Sequence, residues 1–223
     1  RRVSFGSGYL DDPLAYFREN VDHYSVLLPT EVPDGAARLS HLRLHNGTIW
    51  RWNRACFGVD GSAHLRIENR VLPAGPTVVD TMANAAFYFG LVRSLAEQDR
   101  PIWSQMSFPA AEENFHAAAI AGIDARVYWP GVGQVPATEL VVRRLLPLAA
   151  AGLAQWGVSD EESGQLLDII ERRCVTGVNG AGWYVDQVRA RESEGDRETI
   201  MRRVLHDYRQ RMHANDPVHT WVG

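Results

Sequence analysis

Residues 64–80 read HLRIENRVLPAGPTVVD, from His64 to Asp80. In the first half Leu65, Ile67 and Asn69 alternate with Arg66, Glu68 and Arg70, the two-residue period of a strand. Three charged side chains therefore share one face. The second half turns at Pro73-Ala74-Gly75-Pro76 and continues as a helix start. A strand with a charged face running into a helix, in a chain that is 45% hydrophobic, points to an α+β fold.

Upstream, TIWRWNR (Thr48 to Arg54) is dense in β-branched and aromatic residues and predicts a second strand. Asp60-Gly61 lies between it and Ala63–Val71, so the two should form an antiparallel hairpin. Asp11 and Asp12 before Pro13 predict an N-cap and a helix over DPLAYFRENVDHY. PTEVPDGAAR reads as a loop. Downstream, TVVDTMANAAFYFGLVRSLAEQDR is apolar almost all round, the pattern of a buried helix. Ser107 caps a helix over PAAEENFHAAAIAG. Asp124–Trp129 predicts a short strand, and PGVGQVP a loop. Helices are expected over Thr138–Gln155, over Glu161–Cys174 behind the capping box that opens at Ser159, and over Arg197–His213 behind Asp196. NGAGW (Asn179 to Trp183) reads as a loop entering a further helix. No repeat, low-complexity tract or linker interrupts the pattern, which predicts a single domain over residues 1–223.

The 223 residues suffice for a packed core, and the formal charge of −4 carries no basic stripe of the kind that binds nucleic acid or a membrane surface. No apolar run reaches the length of a membrane span. Cys56 and Cys174 form no CxxC pair, so unpaired thiols and a reducing, cytoplasmic setting are expected. The opening RRVSFGSGYL has no Met, and the chain reads as a piece of something longer.

Chemistry concentrates on the charged strand face. Residues i and i+2 stand about 6.6 Å apart on one face, so Glu68 and Arg70 point the same way. A carboxylate holds a hard divalent cation such as Mg²⁺, and a guanidinium grips a phosphate oxyanion with two hydrogen bonds. Together they suit a metal–nucleotide site. The same spacing equally describes a solvated sheet face with Arg–Glu–Arg cross-strand pairs, which is the commoner case.

A resemblance shifts that balance. LRLHNGTIWRWNR and HLRIENRVLPAGPTVVDTMANAAFYFGL, with EENFHA, GIDARVYWPG, VPATELV, NGAGW and MHANDPVHTW, resemble the C-terminal half of the glutamate–cysteine ligase type 2 family, particularly its actinobacterial-type members. The resemblance implies a glutamine-synthetase-like fold, with a curved antiparallel sheet whose concave face holds Mg²⁺ and the phosphates of ATP. It implies an ATP-dependent ligase of glutathione biosynthesis that joins glutamate to an amine such as cysteine through an acyl phosphate. Glu68-Asn69-Arg70 matches the Glu-x-Arg strand of that superfamily, with Glu68 on metal and Arg70 on phosphate. Arg51 is the next catalytic candidate, and Arg66, Arg54, His45 and Asn46 are candidates for the nucleotide or the substrate carboxylate. Alternation puts Arg51 and Arg54 on opposite faces, so at most one reaches the face of Glu68. The expected partners are these small molecules, with homo-oligomerisation left open. The family's other metal carboxylates, a Gly-x-Glu-x-Glu pattern, are absent here, so the chain on its own is expected to form one wall of a site and to be inactive. A truncated, non-catalytic interaction domain is the alternative.

Two other patterns carry less. Glu113-x-x-His116 has the spacing of a di-iron bundle motif, which needs a second copy and two further Glu. His213 and His219 read as a helix end and a docked tail rather than a ligand pair.

Overall fold

The computed structural model describes residues 1–10, 12–29, 38–59 and 61–221. The Asp60-Gly61 turn falls partly outside these residues, as do Asp11 and most of the PTEVPDGAAR loop. The chain is α+β and mostly helical, with two-stranded antiparallel sheets, and its contacts divide it into compact units over Arg1–Leu72 and Pro73–Gly223.

The first unit begins with α1 (Pro13–His23). Asp12 caps it, its carboxylate accepting from the amides of Leu14 and Ala15, and Pro13 loses nothing at a position whose N–H has no helical partner. Helix α2 (Ser40–Gly47) and strands β1 (Asn53–Gly58) and β2 (His64–Asn69) follow. Tyr16, Phe17 and Ala55 form a small core, with Leu42 and Phe57 packed on it. Strand β2 falls where alternation puts it. The other predicted strand, Thr48–Arg54, is displaced: Thr48 closes α2, Trp50 bridges to Val3 in parallel, and the ladder starts only at Asn53. Aromatic and β-branched residues favour extended backbone but do not choose its partner. The β1–β2 pair is antiparallel, with Arg54 opposite Glu68 and Cys56 opposite Arg66.

The second unit is built on α3 (Val78–Ala96), α6 (Leu146–Gln155) and α7 (Asp160–Thr176). Ala83, Ala86, Leu146, Ala149, Leu153, Leu167, Ile169 and Ile170 make its core. Helix α3 is not buried all round. It sinks by its small residues, Ala83, Ala86, Gly90 and Ser94, while Val78, Met82, Phe89 and Val92 stay exposed. The reason is the crossing with α6. A Cβ on Gly90 would collide with the Ala149 carbonyl, and one on Gly152 with the Gly90 carbonyl. Only the small-residue stripe permits so close an approach.

Helix α4 (Phe108–Ala121) leads to β3 (Arg126–Trp129), which pairs with β4 (Gly133–Pro136). The expected PGVGQVP loop is therefore a turn plus a four-residue strand. Asn114 of α4 clamps this hairpin by accepting from the Tyr128 amide at 2.6 Å and donating to its carbonyl at 2.8 Å. The predicted helix over Thr138–Gln155 is one helical run, α5 (Ala137–Leu140) joined to α6 through a π-helical stretch at Val141–Leu145. Pro147 has no N–H for the carbonyl of Arg143, and the wider turn falls where that bond is missing. Ser159 opens α7, Asn179 opens α8 (Gly180–Ala190) and Asp196 opens α9 (Arg197–Ala214), each side chain accepting from a first-turn amide.

The C-terminal segment docks on this unit. Trp183, Ile200, Val204, Val218 and Trp221 form a second core, with the Trp183 and Trp221 rings 5.1 Å apart in an edge arrangement. Beneath it lies Asp80, fully buried. Its carboxylate accepts from Arg173 at 2.6 Å, from the Thr77 hydroxyl at 2.8 Å and from the Val218 amide at 3.1 Å. One buried charge thus fixes α7 and the tail to α3. Cys56 and Cys174 are both unpaired, and no helix among the described residues is long and apolar enough to cross a membrane.

Candidate functional site

The β1–β2 hairpin carries its charges on one face because residues opposite each other in an antiparallel ladder project to the same side. Arg54 and Cys56 on β1 thereby join Arg66 and Glu68 on β2. Arg70 lies one residue past β2, but its amide still donates to the Trp52 carbonyl at 2.8 Å, so the alternation extends to it.

Glu68 is the hub of this face. Its Oε2 forms ion pairs with Arg54 Nη2 at 2.7 Å and with Arg70 Nε at 3.3 Å. Its other oxygen, Oε1, accepts no bond among the described residues, and the side chain is 39% exposed. Arg70 is further held by Trp50, whose ring centre lies 3.8 Å below the guanidinium carbon. One nitrogen of Arg70 is thus committed to Glu68 and one face to an indole. The two terminal nitrogens of Arg70 make no hydrogen bond among the described residues, which leaves the fork that an oxyanion fits uncommitted. Burial works to lower the pKa of Arg54, and the neighbouring Cys56 and Glu68 outweigh it, so the pKa is raised and the charge is secure. The Cys56 thiol lies 3.9 Å from Glu68 Oε2.

The remaining candidates go elsewhere. Arg51 is buried away from this face, bonded to Glu19 at 3.0 Å and to the Tyr24 hydroxyl at 3.4 Å. Of Arg51 and Arg54, it is Arg54 that reaches Glu68. Burial raises the pKa of Glu19, but the hydrogen bond and charge of Arg51 overcome this and leave it lowered. His45 turns toward α1, with Nε2 2.8 Å from the Asn20 carbonyl and Nδ1 buried without a partner. Asn46, also buried, accepts from Asn20 at 3.0 Å, but it borders a cavity of about 210 Å³ together with Arg43, Arg54, Cys56 and Arg66. His116 lies on an exposed helix face 3.9 Å from Glu112, not beside Glu113.

Sequence reasoning missed Trp50 as the platform for Arg70 and Arg43 as a neighbour of the hairpin. A Trp in a Trp- and Arg-rich segment was the only signal for the first, and α2, which carries Arg43, was not foreseen.

Among the described residues no group of three or more His, Cys, Asp and Glu side chains is arranged to hold a metal ion. Glu68 can offer Mg²⁺ one carboxylate oxygen. Two guanidiniums on its other oxygen oppose a bare cation, so the donor set suits an ion that arrives with phosphate oxygens, the usual mode for Mg²⁺. Compared with known proteins, the chain matches no family model, no curated protein and no solved structure.

Proposed function

We propose that the Arg54–Glu68–Arg70 face binds the phosphates of ATP together with Mg²⁺. In this reading the chain forms one wall of a carboxylate–amine ligase that makes a γ-glutamyl amide from glutamate and an amine such as cysteine. The observation that carries the reading is Arg70. Paired with Glu68 and stacked on Trp50, it is held in place before any ligand arrives while its terminal nitrogens stay uncommitted, and such preorganisation is what stabilises developing phosphoryl charge. The likeness of Glu68-Asn69-Arg70 and its flanking segments to the glutamate–cysteine ligase type 2 family supports the same assignment. The curved sheet of a glutamine-synthetase-like fold and a cytoplasmic setting belong to this reading too.

The chemistry has two steps. A carboxylate oxygen of glutamate attacks the γ-phosphorus, ADP leaves, and an acyl phosphate forms. The amine nitrogen then attacks the acyl carbon, phosphate departs, and the nitrogen loses a proton. Mg²⁺, when bound, neutralises charge on the transferring phosphoryl group. Arg70 would grip oxygens of that group, Arg54 would hold Glu68 in place, and Glu68 would offer the cation a carboxylate oxygen. Positioning and charge neutralisation account for most of the barrier lowering in reactions of this class. The test is ADP release by the intact protein. It should require ATP, Mg²⁺, glutamate and an amine together. Release indifferent to glutamate and to every amine tried, or no release at all, overturns the assignment.

A further inference from the structure

The cavity beside the hairpin shares Arg54 with the proposed phosphate face and adds Arg43 and Cys56, which the ligase reading does not use. Its polar lining is Arg43 and Asn46 of α2, Arg54 and Cys56 of β1 and Arg66 of β2, with Ala55 and Phe57 completing the wall. At about 210 Å³ it is smaller than the roughly 300–1,000 Å³ of pockets that take drug-sized ligands. Its charge is one-sided. Arg54 is neutralised by Glu68, and Glu68 is in turn occupied by Arg70. Arg43 and Arg66 form no ion pair among the described residues. Two uncompensated guanidiniums therefore border one small space, with a buried amide, Asn46, at its wall.

The position of Arg66 is set locally. His64 Nδ1 lies 2.9 Å from the Ser62 carbonyl, so it carries the proton and donates. That leaves the Nε2 lone pair to accept from Arg66 Nη1, 3.5 Å away. Gly58, opposite His64 in the ladder, makes room for this: a Cβ there would run into the His64 ring and press on Arg66 Nη1.

We propose that Arg43, Arg54, Arg66 and Asn46 form a binding site for a small oxyanion, phosphate or the carboxylate of a small acid. Arg43 and Arg66 are both exposed and carry no carboxylate partner among the described residues, so an anion there would accept charge-assisted hydrogen bonds from them, which are the strong ones. The site shares Arg54 with the phosphate face proposed above but needs neither ATP nor Oε1 of Glu68, so the two are tested separately.

Cys56 lines the cavity and reports on it, while Cys174 lies in the other unit and serves as an internal control. The experiment is the alkylation rate of each cysteine in the 223-residue chain, read by peptide mass, against rising inorganic phosphate, succinate or chloride at matched ionic strength. Phosphate or succinate should slow Cys56 in a saturable way and leave Cys174 unchanged, and whichever protects at the lower concentration identifies the oxyanion class. Arg43→Gln and Arg66→Gln should each weaken protection about tenfold or more, as loss of a hydrogen bond between charged groups does, and Arg43→Lys should fall between. Protection by either oxyanion in the absence of ATP and Mg²⁺ separates this site from the metal–phosphate reading. Protection by chloride equal to that by both oxyanions, or Gln variants protected like the wild type, overturns the proposal.

Discussion

Arg54 and Glu68 stand directly opposite each other in the β1–β2 ladder, and the Glu68 oxygen that pairs with Arg54 at 2.7 Å also pairs with Arg70 at 3.3 Å. A partly exposed ion pair of this kind contributes only about 0–1 kcal/mol to stability, so its arrangement matters more for what it orients. Arg70→Lys keeps the charge but loses both the fork and the flat surface stacked on Trp50. In the intact protein it should lower turnover by about 10²–10³-fold, the usual effect of removing one preorganised donor, with little change in melting temperature. Steady-state ADP release and a thermal melt on the same preparation check this.

Asp80 offers the opposite case, a fully buried carboxylate that holds Arg173, Thr77 and the Val218 amide. Asp80→Asn leaves the Arg173 charge without its partner, and breaking a buried pair on one side costs about 3–5 kcal/mol. Urea unfolding should show a loss of that size. Fluorescence of Trp183 and Trp221 should change with it, because the tail loses its anchor.

Replacing a helical Gly with Ala normally stabilises by about 1 kcal/mol. At Gly90 and Gly152 the sign should reverse. An added methyl at either position meets a backbone carbonyl of the facing helix, which cannot swing aside as a side-chain tip can, and overpacking costs about 1–3 kcal/mol or more. Each Ala variant should be less stable than wild type, while Gly164→Ala on α7, where an added Cβ meets nothing, should not be. Denaturant midpoints of the three variants decide it.

His219 sits in the docked tail with Nδ1 buried and unpartnered. Burial lowers its pKa, and the charges of Asp168 and Asp80 only partly oppose that. Above the ordinary histidine pKa of about 6.5 the ring is neutral folded or unfolded and costs nothing. Below it the unfolded chain takes up a proton that the folded chain resists, so stability falls as pH falls. His219→Gln should flatten the slope of stability against pH below about 6.5, measured by urea unfolding at a series of pH values. An unchanged slope would mean that His219 carries none of it.

The parts of the fold legible in the sequence are those decided within one turn of chain. Asp12, Ser159 and Asp196 cap helices because a side-chain oxygen reaches an amide two or three residues on. The face shared by Glu68 and Arg70 follows from alternation alone. What was not legible depends on distant partners. Trp50 and Arg51 read as strand, yet Trp50 bridges to Val3 and Arg51 is drawn to Glu19. The apolar helix α3 read as buried, but Gly90 and Gly152 determine which face is covered, and that pairing spans two helices far apart in sequence. Asp80 gave no sign of its role, because one acid in an apolar helix looks the same whether it meets water or Arg173. In the site, the charged face could be read, whereas the platform under Arg70 and the arginine contributed by α2 could not.

The most direct test of the metal–phosphate reading is a Mg²⁺ titration of ADP release in the intact protein, comparing wild type with Glu68→Gln. The substitution keeps the shape of the side chain and removes its charge. Even changes to groups that only support a metal ligand cost 10–100-fold in affinity or activity, so the Mg²⁺ concentration for half-maximal release should rise at least about tenfold. A Glu68→Gln protein with the same Mg²⁺ midpoint and turnover as wild type would contradict the account and leave the Arg54–Glu68–Arg70 face a solvated ion-pair network.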